Sequence, residues 1–91
     1  MNTRVEVILQ VRVVTTSGSY PDQGYDRAPA HQPVKVQLAE AVRKLRIRDT
    51  NGWVALVNGT QIEPEKSYEA NGLKGDVVID YGPKEGGGGN E

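Results

Sequence analysis

Residues 53–63 read Trp53-Val54-Ala55-Leu56-Val57-Asn58-Gly59-Thr60-Gln61-Ile62-Glu63, an apolar, β-branched run broken once by Asn-Gly. Asn and Gly are the residues that best tolerate positive φ, which a two-residue turn between twisted strands demands at both central positions. The stretch therefore predicts a hairpin, with one strand over Trp53 to Val57 and a return through Thr60-Gln61-Ile62. Pro64 ends the return strand, because it has no N–H to give to a ladder.

Downstream, a polar stretch containing Tyr68 and Leu73 leads to Lys74-Gly75-Asp76 and then Val77-Val78-Ile79-Asp80-Tyr81, a turn followed by a last short strand. Upstream, the period changes. Val34, Leu38, Ala41, Val42 and Leu45 recur at helical spacing, while Lys35, Glu40, Arg43, Lys44 and Arg46 occupy the other faces. This predicts one amphipathic helix of about three turns, ending between Ile47 and Gly52, where Asp49-Thr50-Asn51-Gly52 breaks the pattern. Residues 20–33, YPDQGYDRAPAHQP, carry Pro21, Pro29 and Pro33 and alternate weakly, as an elaborated loop or an irregular edge strand around Tyr20 to Arg27 would. At the start, Val5, Val7, Leu9, Val11 and Val13 alternate with Glu6, Ile8, Gln10, Arg12 and Val14, the period of a long strand with one buried face. The order strand, loop, helix, hairpin, strand suits an α+β domain whose single helix packs on a mixed sheet. Residues 1–81 form that domain in this reading. Residues 82–91, Gly82-Pro83-Lys84-Glu85-Gly86-Gly87-Gly88-Gly89-Asn90-Glu91, form a tail that has little to bury and much entropy to lose on ordering.

Composition narrows the function. At 91 residues and 9.9 kDa the chain suits one domain with a modest core. Eleven basic against twelve acidic residues, net −1, give no field to hold nucleic acid or an anionic membrane. Cysteine is absent, and with it disulfides, thiolate nucleophiles and cysteine metal sites. The start of the chain runs straight into the alternating segment, without a stretch apolar enough for a signal peptide or membrane span, so a cytoplasmic protein is expected. His31 has no second histidine or spaced carboxylate cluster near it in sequence and reads as a loop residue in solvent. Asp22, Asp26, Asp49 and Asp76 sit in turns that favour Asp for local reasons, and the lysines read as solvated surface. Trp53, the largest side chain, reads as cover for the edge of the core. The expectation is a monomer with no catalytic residue, no metal and no cofactor: not an enzyme.

The order of elements, ending in a glycine-rich tail, resembles the β-grasp fold of ubiquitin and of the prokaryotic sulfur carriers of thiamine and molybdopterin synthesis. Val57-Asn58-Gly59-Thr60-Gln61-Ile62-Glu63 is similar to ubiquitin's third strand with the turn after it, and to the carriers' VNG turn. Leu73-Lys74-Gly75-Asp76-Val77-Val78-Ile79 resembles the carriers' L-x-x-GD-x-V segment. The resemblance covers roughly Val34 to Gly89, and the first strand by position. It implies that the working residues are Gly88 and Gly89, with Gly86 and Gly87 as tail. In the family the terminal glycine carboxylate is adenylated by an ATP-dependent activating enzyme, and an unbranched residue lets the enzyme approach its carbonyl. Since Asn90-Glu91 follows, the resemblance implies a peptidase that cuts between Gly89 and Asn90. It further implies an activating enzyme, a conjugating enzyme and a covalent target protein as partners. This departure from the carriers, which usually end in glycine, points to a prokaryotic ubiquitin-like modifier joined to its target through an isopeptide bond. A sulfur carrier bearing a glycine thiocarboxylate and a non-conjugated β-grasp interaction module stand as alternatives. Tyr81-Gly82-Pro83-Lys84-Glu85 lacks the Leu/Arg alternation of ubiquitin's own tail.

Aligning the Val57 turn to ubiquitin puts Leu56 on the exposed sheet face, with Val78 on the next strand as a companion in a small apolar docking patch. The competing placement turns one or both inward beneath the helix, because a slip of one residue exchanges the faces of a strand.

Overall fold

The computed structural model describes residues 7–84. Seven elements follow in the order β1 (Ile8–Thr15), β2 (Gly18–Tyr20), β3 (Asp26–Pro29), α1 (Val34–Lys44), β4 (Trp53–Val57), β5 (Thr60–Gln61) and β6 (Asp76–Pro83). The six strands form one mixed sheet in the order β2-β1-β6-β4-β5, with β3 also paired to β1. β6 lies in the middle, parallel to β1 and antiparallel to β4. This is the expected α+β arrangement, with α1 packed on one sheet face.

Alternation sorts the faces. Leu9, Val11 and Val13 on β1, Val77 and Ile79 on β6, and Ala55 and Val57 on β4 are buried, and they meet Val34, Leu38 and Ala41 of the helix in one core. Val7, expected on the same buried face, is instead 56% exposed. Its position precedes β1, where its carbonyl accepts from the Ala30 N–H at 2.8 Å, and the core has already ended there. Val5 lies outside the described residues.

The segment expected as an elaborated loop or irregular edge strand is an interrupted strand. β2 pairs with the end of β1 (Val13 opposite Tyr20) and β3 with its start (Leu9 opposite Ala28), so both lie along the same edge. Residues 21–25 bulge out between them. Arg12 fastens this excursion by donating to the carbonyls of Gly24 at 2.8 Å and Asp22 at 3.2 Å, and to Ser19 Oγ at 2.8 Å.

The helix stops at Lys44, earlier than the composition of residues 47–52 suggested. Arg46 turns into the left-handed region (φ 57°), the Ile47 N–H donates to the Val42 carbonyl at 3.0 Å, and the Arg46 N–H donates to Arg43 at 3.3 Å. This is a Schellman closure with arginine where glycine is usual. At the other end, Pro33 offers no capping side chain. The first amides bond elsewhere: Val34 N–H donates to the Lys66 carbonyl at 3.0 Å and Lys35 N–H to the Pro64 carbonyl at 2.9 Å, satisfying groups a helix start leaves open. The polar stretch after β5 is thereby tied to the helix, and it carries Tyr68, fully buried, into the core. The expected hairpin is present, with Asn58 at φ 52° and Gly59 at φ 81°. β6 continues through Gly82 and Pro83, two residues beyond the domain end expected at Tyr81.

Candidate docking faces and the root of the glycine tail

Burial of Ala55 and Val57 beneath the helix turns Leu56 to the opposite, open face of the sheet, and burial of Val77 and Ile79 does the same for Val78. Of the two placements left open by the sequence, the inward one fails: neither side chain turns beneath the helix. They are not side by side, however. Leu56 faces Asp80 across the β4–β6 ladder, and Val78 stands beside Arg12 in the β1–β6 ladder, so Asp80 intervenes on the strand. Val78 is 39% exposed, whereas Leu56 is partly covered.

The nearer companions of Leu56 are Val54, two residues earlier on its own strand, and Val14, which faces Asp80 from β1. Together they line an open depression of about 310 Å³ whose floor includes Gly82 and whose one carboxylate is Asp80. Gly82 opens the dent: a Cβ there would meet nothing within 4 Å. The patch is thus centred on Val14, Val54 and Leu56, with Val78 at its margin. Val14 and Val54 were legible as strand residues. Their meeting depends on the parallel register of β1 and β6, which lies outside any local pattern.

The tail departs from this end of the sheet. Pro83 faces Trp53, and the Lys84 N–H donates to the Gly52 carbonyl at 3.2 Å, the last tie of the chain to the domain among the described residues. Gly86, Gly87, Gly88, Gly89 and Asn90, the residues expected to be processed and activated, lie outside the described residues. On the helix side of the same end, Trp53 packs edge-on against Tyr81 (centroids 5.1 Å apart, planes at 78°). Trp53 thus reaches the core edge through Tyr81, which packs against the core, and it also lines a second and larger groove beside the helix.

Charge at these faces is mostly paired or local. Arg43 holds Glu40 at 2.6 Å, and that hydrogen bond, with the carboxylate's charge, raises the guanidinium further. Asp26 accepts from the buried Gln37 amide at 3.0 Å. Burial, then the nearby Asp26 charge, pushes the Tyr68 phenol up. Burial likewise raises Tyr20, helped by Asp26 and Glu40. His31 is exposed on the loop before the helix. No helix is long and apolar enough to cross a membrane among the described residues.

No protein-family model matches the chain, and no curated protein sequence matches it. Solved structures do. A protein designed de novo on the basis of ubiquitin superposes with a TM-score of 0.65 at 14% identity, over 91% of this chain and 96% of that one. The N-terminal ubiquitin-like domain of the 4931431F19Rik protein matches with a TM-score of 0.59 at 11% identity, over 100% of this chain and 90% of that one. Identities this low speak to architecture alone. The mixed five-position sheet order, the single helix after an interrupted hairpin and these two superpositions together make the chain a ubiquitin-like β-grasp fold.

Proposed function

We propose that the protein is a ubiquitin-like modifier of the prokaryotic kind, a monomeric cytoplasmic substrate of other enzymes that is not itself an enzyme. One observation supports this reading above the others. A ubiquitin-like domain ends its last strand at Pro83, and only Lys84-Glu85 separate that strand from Gly86-Gly87-Gly88-Gly89. The glycine run thus follows directly on a root held at one end of the sheet, where a tail can enter an enzyme channel without unfolding the domain.

The chemistry in this reading falls on Gly89. A peptidase hydrolyses the Gly89–Asn90 bond, leaving a glycine carboxylate. That carboxylate attacks the α-phosphorus of ATP in the activating enzyme and displaces pyrophosphate, giving an acyl adenylate. An enzyme nucleophile then displaces AMP, and a target amine displaces the nucleophile to form an isopeptide bond. The absence of side chains at Gly88 and Gly89 lets channel walls and nucleophile reach the carbonyl. In the second reading hydrosulfide displaces AMP from the adenylate and leaves a thiocarboxylate; the likeness of Leu73-Lys74-Gly75-Asp76-Val77 to the sulfur carriers favours it.

Intact mass of the protein from its native host tests these readings. A form ending at Gly89, with covalent adducts that disappear in a Gly88→Ala/Gly89→Ala double variant, is the expected result. A terminus heavier by the difference between sulfur and oxygen would transfer the assignment to sulfur carriage. Full-length, unmodified protein alone would sink both and leave an interaction module working through the Leu56 face.

A further inference from the structure

The helix side carries a feature that tail chemistry does not explain. Between the outer flank of α1, the segment that follows it and the end of β4 lies an open groove of about 750 Å³, within the range of sites that take a ligand (about 300–1,000 Å³). Leu38, Val42, Trp53 and Tyr81 contribute an apolar floor. Lys35, Arg43, Arg46 and Arg48 stand around it against a single acid, Glu65. Two of these cations are occupied: Lys35 by Glu65 at 3.0 Å, and Arg43 by Glu40. The guanidiniums of Arg46 and Arg48 have no hydrogen bond or ion pair among the described residues.

Arg46 adds an independent sign. It occupies the left-handed position that closes the helix, at φ 57°, where glycine would sit without strain. Backbone strain of this kind clusters where a side chain makes a functional contact, and here it carries a long cation at the groove rim.

We infer that this groove docks an acidic peptide segment of a partner protein, with a bulky apolar side chain against Trp53 and carboxylates against Arg46 and Arg48. Charge complementarity selects the occupant. Four basic side chains against one acid line the groove although the chain as a whole is net −1, and the apolar floor rewards an anchor that a simple anion lacks. The surface is separate from the open-face dent at Leu56, and docking here stands whether or not the tail is ever activated.

Trp53 is the sole tryptophan and lines the groove floor, so its emission reports occupancy directly. The full chain would be titrated with a synthetic peptide reading Asp-Glu-Asp-Leu-Ile-Glu-Asp-Glu, and separately with the counterpart carrying Lys in place of every acid. A saturable change of Trp53 emission with the acidic peptide alone is expected, weakening on the order of tenfold from low to physiological salt. Arg48→Gln and Arg46→Gly should each lower affinity by roughly 3- to 10-fold. Arg46→Gly relieves the strained turn, so lost binding cannot be blamed on lost folding. Several outcomes overturn the inference: no saturable change, equal response to the basic peptide, unchanged affinity in both variants, or equal binding by a single-stranded RNA of the same length. A shift of Trp53 emission on deleting residues 85–91, with no peptide present, would overturn it too by making the chain's own tail the occupant.

Discussion

Tyr68 shows how one residue can run against its neighbourhood. It sits among Glu65, Lys66, Ser67, Glu69 and Asn71, yet its side chain is fully buried and its hydroxyl has no hydrogen-bond partner. An unsatisfied buried polar group costs roughly 1–3 kcal/mol, whereas removing it leaves the ring's packing intact. Tyr68→Phe should therefore leave stability unchanged or raise it by up to about 1–2 kcal/mol in urea unfolding; a clear loss would mean that the hydroxyl is satisfied in solution. Arg46 is a second residue at odds with its place. With the left-handed turn closed by the Ile47 N–H, Arg46→Gly should stabilise the domain by about 1 kcal/mol. Thermal unfolding would show it, and a lowered midpoint would contradict the Schellman closure. Neither feature was legible locally. A lone Tyr in a polar stretch gives no period, and an arginine gives no signal of positive φ.

Among elements, β6 carries the most consequences. Its alternation puts Val77, Ile79 and Tyr81 toward the helix and Val78, Asp80 and Gly82 toward the open face. Gly82 has ordinary backbone dihedrals and open space above it, so a side chain there costs neither strain nor clash. Gly82→Thr should raise stability by about 0.5–1 kcal/mol, as expected when a strand glycine gains a β-branched residue. It should also fill the dent beside Val14, Val54 and Leu56. Partners that use the open face would then lose affinity while the groove beside α1 is unaffected, a separation that heteronuclear NMR shift mapping can read. Loss of stability in this variant would place Gly82 differently from the ladder that pairs it with Val54. The second edge of the sheet teaches the opposite lesson: three prolines and a cluster of turn residues masked β2 and β3, because the strand is held by β1 on either side of residues 21–25 and by Arg12 rather than by its own pattern.

For the whole molecule, the two raised tyrosines predict a particular response to alkali. A phenol kept neutral by burial holds its proton in the native state after the unfolded chain has released it. Above the ordinary value of 10.0, the unfolded state then binds fewer protons, and stability falls as pH rises. Below that value these groups contribute no slope. Stability should thus decline from about pH 10 upward, with Tyr68 contributing at most about 1.4 kcal/mol per pH unit. Chemical denaturation of wild type and Tyr68→Phe across that range checks the claim, since the variant should show the flatter decline. Parallel curves would mean that Tyr68 ionises freely in the native state.

The sequence alone determined what depends on neighbours along the chain. Period-two alternation marked β1 and its buried Leu9, Val11 and Val13; period 3.6 marked α1; and Asn58-Gly59 marked the hairpin, since positive φ is a property of the residue itself. Order and turn chemistry were enough to anticipate an α+β domain, and the resemblance to ubiquitin and the sulfur carriers supplied the β-grasp expectation and singled out residues 86–89 as the segment most worth testing. Tertiary structure alone decided everything that rests on register between distant segments. The parallel pairing of β1 with β6 sets Val14 beside Asp80 and makes the dent around Leu56. The anchoring of residues 64–69 to the helix start buries Tyr68. The early helix stop at Lys44 brings Arg46 and Arg48 to the groove that Trp53 lines. The physical reason is common to the three: long-range pairing gains its free energy from core burial and shared ladders, and a local window of sequence does not record which partners will meet.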